Sequence, residues 1–234
     1  MTYDEGANLP RAAMILAAGR GLRMRPLTEA TPKPLLRVCG APLIEHHVHA
    51  LARGGIRDII VNLCWLGAQI RDYLGDGARY GVSIRYSDET PRALEAAGGI
   101  VRALALLAPG PFAVVNADIY CDFAFENLRI GAGADAHLLL VANPPQHPQG
   151  DFGLQDGWAV ASAPRQFTFA GIAVYRTALF AGLADGVRPL KPLLIEAMAA
   201  RRCSAQIHGG LWEDVGSVER LAALNARRCD TIGR

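Results

Sequence analysis

The chain has 234 residues, of which 51% are apolar, and its formal net charge is +2. This length and apolar fraction are sufficient for one α/β domain with a substantial core. A charge so close to zero supplies no long-range attraction to nucleic acid or to an anionic membrane, so any affinity for phosphates must come from a local site. We therefore expect neither nucleic acid nor a membrane among the partners.

The cysteines and the N-terminal segment indicate the compartment. Five cysteines are scattered without a C-x-x-C pair, which argues against a disulfide framework and against a zinc site. Residues 1–11 are polar and contain two acids, unlike a signal peptide, and we interpret them as a loose tail. The apolar runs are interrupted well before the roughly 20 residues needed to span a bilayer. We expect a reduced, cytoplasmic protein with a single domain over residues 12–230, as a monomer or small homo-oligomer.

Short apolar runs alternate with helical segments in the first part of the chain. The runs are typical of strands buried on both faces, and they lie at Ala12–Ala18, Asp58–Leu63, Pro111–Val115 and His137–Val141. Helical spacing is found over Leu43–Leu51, Ala68–Leu74 and Ile100–Leu107. This alternation predicts an α/β fold with a doubly wound, mostly parallel sheet.

The pattern changes after about residue 150. The stretches GDFGLQDGWAVA and FTFAGIAVYR predict antiparallel strands with turns, and helices are predicted from Lys191 to Arg201 and from Ser217 to Arg228. No internal repeat or low-complexity linker separates the two halves. We therefore expect an antiparallel lobe on the substrate side of the same domain.

A glycine-rich stretch follows the first predicted strand, with the sequence MILAAGRGLRMRPLTEATPKPL. Gly19 and Gly21 allow a tight turn whose N–H groups can approach phosphate oxygens, and Arg23 adds a forked cationic donor. The stretch lacks the third glycine of a dinucleotide fingerprint and the G-K-[ST] ending of a P-loop, so neither of those sites is supported. Two glycines alone also fit an ordinary strand-to-helix turn.

Lys33 lies between Pro32 and Pro34 in the same stretch. The prolines fix the backbone on both sides of it and can aim its ammonium group at one spot. An ammonium between anionic phosphates offsets their repulsion and stabilises charge that develops on a phosphoryl group in transfer. This pattern favours a catalytic lysine over a solvated one.

Two aspartates are candidate metal ligands. Asp118 directly follows the strand PFAVV, at the carboxyl end where open α/β sheets bind ligands. Asp214 lies in WEDVGS just before the last predicted helix, where it would also suit a turn or a cap. Mg²⁺ commonly binds one or two carboxylates and completes its octahedron with water and phosphate oxygens. The two aspartates therefore predict a Mg²⁺ site.

These stretches together resemble the sugar-1-phosphate nucleotidyltransferase family. Its members share G-x-G-x-R-[ML]-x-P-L-T followed by P-K-P, an aspartate after the central strand and W-x-D-x-G-[ST] near the C terminus. The resemblance extends over nearly all of the chain after Arg11. It implies a Rossmann-like fold of the nucleotide-diphospho-sugar transferase type, and a Mg²⁺-dependent reaction between a nucleoside triphosphate and a sugar 1-phosphate that releases pyrophosphate.

The resemblance also implies a role for individual residues. Lys33 and Arg23 would be catalytic, and Asp118 and Asp214 would bind the metal. The residues that would contact the nucleotide are Ala17, Ala18, Gly19, Gly21, Leu22, Arg23, Lys33, Glu95 and Gly98. The residues that would contact the sugar phosphate are Asn116, Asp151 and Gly171, although Asp151 also fits a turn after Gly150.

Several shorter motifs indicate which substrates are favoured. N-x-x-W-L-G, L-E-x-x-G-G-I and G-D-F resemble family members that join UTP to N-acetylmuramate 1-phosphate in the recycling of bacterial cell-wall sugars. One departure concerns Ala96 and Ala97, which replace Thr and Gly of the family and leave the base preference open. Glucose-1-phosphate thymidylyl- or uridylyltransferase and mannose-1-phosphate guanylyltransferase activities are alternatives.

Two alternatives lie outside this enzyme class. A glycosyltransferase that uses a nucleotide sugar normally has Asp-x-Asp for its metal, whereas Ile119 and Tyr120 follow Asp118. A non-catalytic nucleotide-sugar-binding protein could have the same fold, because a fold alone does not establish activity. Loss of Lys33 or of either aspartate would favour that interpretation, and all three are present.

Overall fold

The computed structural model describes residues 9–232, with side chains described for residues 9–227, so most of the predicted N-terminal tail lies outside the described residues. The strands are β1 (Ala12–Leu16), β2 (Arg37–Val38), β3 (Ala41–Pro42), β4 (Asp58–Leu63), β5 (Ser83–Asp88), β6 (Phe112–Asn116), β7 (Ile119–Cys121), β8 (Ala136–Val141), β9 (Phe152–Gln155), β10 (Trp158–Val160), β11 (Gln166–Tyr175), β12 (Cys203–Ile207) and β13 (Trp212–Asp214). The α-helices are α1 (Leu27–Ala30), α2 (Leu43–Arg53), α3 (Gly67–Leu74), α4 (Glu95–Ala103), α5 (Lys191–Ala199) and α6 (Val218–Ile232). Among the described residues, no helix has both the length and the apolar character needed to cross a bilayer.

Nine strands form the central sheet in the order β5-β4-β1-β6-β11-β8-β12-β10-β9. The strands β5, β4, β1 and β6 pair in parallel, as the alternation of strand and helix predicts. Strand β11 runs antiparallel to both β6 and β8, and β9 and β10 form an antiparallel hairpin at the far edge. The predicted α/β class with an antiparallel second part is confirmed. The sheet is mixed beyond β6 because β11 lies between β6 and β8.

Helices cover both faces of the sheet, which makes it doubly wound. Alternate residues of β1 point to opposite faces, so Ala13 and Ile15 lie in one buried cluster while Ala12 and Met14 lie in the other. The first cluster includes buried apolar residues of α2 and α3, and the second includes those of α4 and α5. The continuous apolar runs are explained by this burial on both faces.

Two strands of the sheet were not predicted, and one helix begins earlier than expected. Strand β5 has the sequence SIRYSD with exposed and buried residues in alternation, and β12 has the sequence CSAQI, so neither is a continuous apolar run. Helix α4 begins at Glu95 and not at Ile100. The low helix propensity of Gly98 and Gly99 favoured a later start, but both glycines lie within the helix.

A small two-stranded ribbon lies beyond the carboxyl end of β6. Strand β7 pairs antiparallel with β13, and the register places Asp214 opposite Ile119. The carbonyl of Asp118 accepts a hydrogen bond from the N–H of Val215 at 3.0 Å. This ribbon connects the C-terminal part of the chain to the end of the central strand and brings the two candidate metal ligands to the same place.

His47 on α2 contacts strand β7 of the ribbon, and its ionisation should make the stability of the protein depend on pH. Its imidazole is buried, and its Nε2 lies 2.9 Å from the carbonyl oxygen of Ile119. Burial lowers the pKa of His47 from 6.5 to about 4 because the charged form loses its hydration. The neutral form therefore stabilises the fold fully above pH 6.5, and this contribution is lost as the pH falls towards 4.

We expect His47 to contribute about 3 kcal/mol to the decrease in the free energy of unfolding over this pH range, at about 1.4 kcal/mol per pKa unit. Urea unfolding at a series of pH values measures it. The variant His47→Gln should show a correspondingly smaller pH dependence. If both proteins showed the same pH dependence, the decrease in the free energy of unfolding would be due to other ionisable groups.

Candidate active site

Two adjoining cavities open at the carboxyl ends of the parallel strands. The large cavity, of about 910 Å³, is lined by the glycine-rich stretch, by Lys33, and by the residues that begin α4. The small cavity, of about 260 Å³, is lined by the loop after β8, by part of β11 and by the β7–β13 ribbon. Both cavities share Arg23, Asn116 and Asp118, so these residues mark the junction between them.

The glycine-rich stretch forms one wall of the large cavity. All of its predicted nucleotide contacts line this cavity, and they are Ala17, Ala18, Gly19, Gly21, Leu22 and Arg23. Gly21 has φ +61°, and an added Cβ would lie 3.0 Å from Thr28 and 3.2 Å from Lys33, so glycine is required there. An added Cβ at Gly19 would meet no atom of the chain within 4 Å, which leaves that side of the backbone accessible to a ligand.

A buried polar relay, which the sequence did not reveal, fixes this wall. The N–H of Ala17 donates to Asn62 Oδ1 at 2.6 Å, and Asn62 Nδ2 donates to Glu89 Oε1 at 2.7 Å. The other oxygen of Glu89 accepts the N–H of Leu94 at 2.7 Å. Glu89 is only 1% exposed. The relay therefore connects the glycine-rich stretch to the loop before α4, and both Asn62 and Glu89 line the large cavity.

We expect Glu89→Gln to destabilise the protein and to weaken nucleotide binding. A glutamine amide offers one acceptor, whereas Glu89 accepts from two donors, so one buried donor would face an NH₂ group. An unsatisfied buried donor costs about 1–3 kcal/mol. Urea unfolding and the KM for the nucleotide measure both effects.

The exposed acid Glu196 on α5 provides a matched control, because Glu196→Gln should change stability by less than about 0.5 kcal/mol. If Glu89→Gln matched this control in both stability and KM, the relay would have no part in holding the cavity wall.

Lys33 lies at the base of the large cavity and forms an ion pair. Its Nζ is 2.6 Å from Asp118 Oδ2, and its side chain is only 8% exposed whereas that of Asp118 is 39% exposed. Pro32 and Pro34 flank it at a short 3₁₀ turn over Lys33–Leu35, as the proline pattern suggested. The buried lysine is therefore held by its backbone and by one carboxylate, with its charge directed to the junction.

The two aspartates line the small cavity together. Asp214 is held by the guanidinium of Arg220, whose Nη1 lies 2.9 Å from Asp214 Oδ2. In each carboxylate, Oδ2 is paired with a cation and Oδ1 lies outside that pair. Hard oxygen donors on a partly exposed surface, next to space for water, are the ligands that Mg²⁺ prefers. The donor set therefore fits the predicted metal.

Two of the three predicted sugar-phosphate contacts also line the small cavity. Gly171 has φ +73°, and an added Cβ would lie only 2.6 Å from Asn116 Nδ2, so glycine leaves room for that amide. Trp212, a residue that sequence analysis did not place here, forms another part of the wall and donates from its indole N–H to the carbonyl of Ala170 at 2.8 Å.

Asp151 and Gly98 lie outside the linings of both cavities, unlike the other predicted site residues. Asp151 lies behind the wall of the small cavity, where its Oδ2 accepts the N–H of Phe169 at 3.0 Å. Gly98 is buried, its N–H donates to the carbonyl of Arg188, and an added Cβ would lie 2.1 Å from the carbonyl oxygen of Gly186. Gly98 is therefore a packing position, and its predicted nucleotide contact is not supported by this arrangement.

Glu95 and Ala96 line the large cavity at the start of α4. Glu95 is exposed with φ +60°, and Ala96 is half buried, whereas Ala97 is fully buried behind them. Trp65 packs against the glycine-rich stretch, where its indole N–H donates to the carbonyl of Thr28 at 3.0 Å and Arg20 lies over its ring at 4.8 Å. Only the first of the two alanines that depart from the family pattern therefore faces the large cavity.

The chain is similar to known proteins over much of its length. Residues 12–156 match the family described as nucleotidyl transferase. An N-acetylmuramate alpha-1-phosphate uridylyltransferase of Neisseria meningitidis is 48% identical over 92% of this chain and 96% of its own. A mannose-1-phosphate guanyltransferase of Gibberella zeae is 37% identical, over 49% of this chain and 32% of its own.

The fold also matches a solved structure. A crystal structure from Bacillus anthracis, described as a glucose-1-phosphate thymidylyltransferase in complex with sucrose, superposes with a TM-score of 0.81 at 22% identity, over 94% of this chain and 96% of that one. At that identity the likeness concerns the fold alone. The family match over more than half of the chain, together with the 48% identity over most of it, shows that the chain belongs to the nucleotidyl transferase family.

Proposed function

We propose that the protein transfers the uridylyl group of UTP to N-acetylmuramate α-1-phosphate, which yields UDP-N-acetylmuramate and pyrophosphate. The large cavity would hold the nucleotide and the small cavity the sugar phosphate. The junction at Arg23, Asn116 and Asp118 would then be the place where the two substrates meet.

The observation that carries this proposal is how much of the chain aligns with a uridylyltransferase and how much with a guanyltransferase. The uridylyltransferase of Neisseria meningitidis aligns with 92% of the chain, whereas the guanyltransferase of Gibberella zeae aligns with 49%. Discrimination between sugars depends on contacts in the sugar cavity. The relative that aligns throughout is therefore the better guide to the substrate.

The reaction requires little covalent chemistry from the protein. An oxygen of the sugar phosphate attacks the α-phosphorus of the nucleotide, a new P–O bond forms, and the bond to the β-phosphate breaks with its electron pair on pyrophosphate. The attacking phosphate is already ionised, so neither an enzyme nucleophile nor a general base is needed. Lys33 and Arg23, both on the cavity wall, would offset the charge that builds up, and the glycine-rich stretch would position the triphosphate.

The metal that we propose is Mg²⁺, held by Asp118 and Asp214. When bound, it would neutralise phosphate charge and fix the orientation of the phosphates. The two carboxylates have separate supporting cations, Lys33 and Arg220, so their orientation does not depend on the metal. Direct binding of Mn²⁺, observed by electron paramagnetic resonance, tests the site independently of turnover.

The substrate assignment makes a direct prediction. Among UTP, dTTP and GTP, each combined with N-acetylmuramate, glucose or mannose 1-phosphate, we expect UTP with the muramate to give the highest kcat/KM, by roughly 10-fold or more. Pyrophosphate release measures each pair. A preference for glucose or mannose 1-phosphate would replace the proposed sugar. A preference for dTTP or GTP would replace the proposed base. Ala96, which replaces a threonine of the family and lies on the wall of the large cavity, could cause such a change of base.

Absence of pyrophosphate release with every pair would favour the non-catalytic alternative. The presence of Asp118 at the junction, with Lys33 in the large cavity and Asp214 in the small one, supports an enzyme instead. We also propose that residues 12–230 act as one domain, since a single sheet includes strands from both halves of the chain. Light scattering distinguishes between a monomer and a small homo-oligomer, the two states that we expect.

A further inference from the structure

The small cavity contains one ionisable side chain that the reaction does not use. Among the lining residues described, four side chains carry a charge or can carry one: Arg23, Asp118, Asp214 and His147. The first three serve the phosphates and the metal in the proposed function. His147 lies on the loop after β8 and is the additional group that can be cationic.

The position of His147 corresponds to the part of the sugar remote from its phosphate. The phosphate must reach the junction at Arg23, Asn116 and Asp118, because the α-phosphorus of the nucleotide is attacked there. The sugar body and its substituents must then extend towards the walls that belong to the small cavity alone. The loop with His147, the neighbouring part of β11 and the β7–β13 ribbon form those walls.

The loop that carries His147 is preformed. The N–H of His147 donates to the carbonyl of Pro144 at 2.9 Å, and the N–H of Gly150 donates to the carbonyl of His147 at 3.2 Å. Asn143 fastens the loop to β11, since its Nδ2 donates to the carbonyl of Gln166 and its Oδ1 accepts from Thr168. A ligand would therefore meet His147 without first having to order this segment.

Asp151 lies next to the ring of His147, and the ammonium group of Lys191 lies 3.9 Å from the same carboxylate oxygen, Oδ1. Nε2 of His147 lies 3.3 Å from Asp151 Oδ1, while Asp151 Oδ2 accepts the N–H of Phe169 at 3.0 Å. This leaves Nδ1 of the imidazole for a ligand, since no hydrogen bond to it is formed by the described residues. Asp151 is then a positioning residue for His147, which explains why it lies behind the cavity wall and not on it.

We propose that the doubly protonated imidazole of His147, with Nε2–H next to Asp151, donates from Nδ1 to the lactyl carboxylate of N-acetylmuramate 1-phosphate and so selects it over N-acetylglucosamine 1-phosphate. This inference rests on the proposed function and names the residue that would give the site its sugar specificity. The two sugar phosphates differ at the 3-position, where the muramate carries a lactyl ether and the glucosamine a hydroxyl. The small cavity already contains two carboxylates, so a third anion requires a donor of its own.

The test compares these two sugar phosphates in the full-length protein with UTP. In His147→Leu we expect kcat/KM for the muramate to fall roughly 10- to 100-fold, the effect of one hydrogen bond to a charged group. The loss should be mainly in KM, because the contact is remote from the reacting phosphates. In the same variant, kcat/KM for N-acetylglucosamine 1-phosphate should change by less than about 3-fold. Asp151→Asn should also lower kcat/KM for the muramate selectively, but by a smaller factor than His147→Leu.

A substrate whose lactyl carboxylate is converted to the methyl amide provides a second comparison. In the wild type, kcat/KM should be much lower for the methyl amide than for the carboxylate. In His147→Leu, kcat/KM should be about the same for both substrates, because the two changes remove the same interaction. The adjacent lining residue provides a matched control, since Gln146→Leu should keep the preference for the carboxylate.

The outcomes separate this inference from the proposed function. Equal losses with both sugar phosphates, or an unchanged preference in His147→Leu, would overturn the role of His147 and leave the uridylyltransferase assignment standing. A wild-type protein that does not prefer the muramate would overturn the proposed function itself, and the selectivity role of His147 with it.

Discussion

Asp118→Asn should reduce kcat/KM roughly 10³-fold, the largest single effect that we expect. Asp118 is at once a proposed metal ligand, the partner of Lys33 at 2.6 Å and part of the junction between the two cavities. An asparagine retains one carbonyl oxygen but no charge, so it weakens both the metal site and the ion pair. Affinity for Mn²⁺, measured by electron paramagnetic resonance, should fall by at least about 10-fold.

Asp122 provides the control for this change. It follows β7, lies 2.8 Å from His208 Nε2 through its Oδ1 and is outside the linings of both cavities, so Asp122→Asn should leave turnover within about 2-fold. Asp214→Asn should resemble Asp118→Asn in the loss of Mn²⁺ affinity, with Lys33 undisturbed. Wild-type affinity for Mn²⁺ in both active-site variants would remove these aspartates from the metal site, whatever happened to turnover.

Lys33→Ala should lower kcat by roughly 10²- to 10³-fold and change the KM for the nucleotide much less. The ammonium group is almost completely buried and already held at the junction, so its charge acts where the α-phosphoryl group is transferred. An interaction made mainly in the transition state appears in kcat. Steady-state kinetics with pyrophosphate detection give both parameters.

Two further variants sharpen this prediction. Lys33→Met keeps the length of the side chain without its charge, so it should be as impaired as the alanine variant if the charge is what matters. Arg25 is an exposed cation of the same stretch outside both linings, and Arg25→Ala should keep kcat within about 2-fold. An increase in KM at unchanged kcat in Lys33→Ala would assign Lys33 to binding alone.

The parts of the molecule that the sequence predicted well are those with a local signal. Apolar runs buried on both faces gave the strands β1, β4, β6 and β8, and their alternation with helices gave the parallel half of the sheet. Lys33 was recognisable from its flanking prolines, and Asp118 from its position just after a central strand. In each case a short stretch of sequence determines the local geometry.

The parts that were missed depend on contacts between distant stretches. Glu89 lies in the polar sequence DETPR, which suggests an exposed turn, and its burial is explained only by Asn62 and the N–H of Leu94. Gly98 was expected to contact the nucleotide, but the nearby carbonyl of Gly186 shows that it is needed for packing. The position of Asp151 behind the cavity wall likewise depends on Phe169 and His147.

The β7–β13 ribbon also has a consequence for the protein during its synthesis. A nascent chain that has emerged as far as β12 contains the glycine-rich stretch, Lys33 and Asp118, but not Asp214. Since β13 reaches its place by pairing with β7, the second carboxylate joins the first only after the C-terminal segment has folded back across the sheet. An unfinished chain on the ribosome can therefore contain the glycine-rich wall of the large cavity without the second proposed metal ligand, and we expect activity only after β13 has paired with β7.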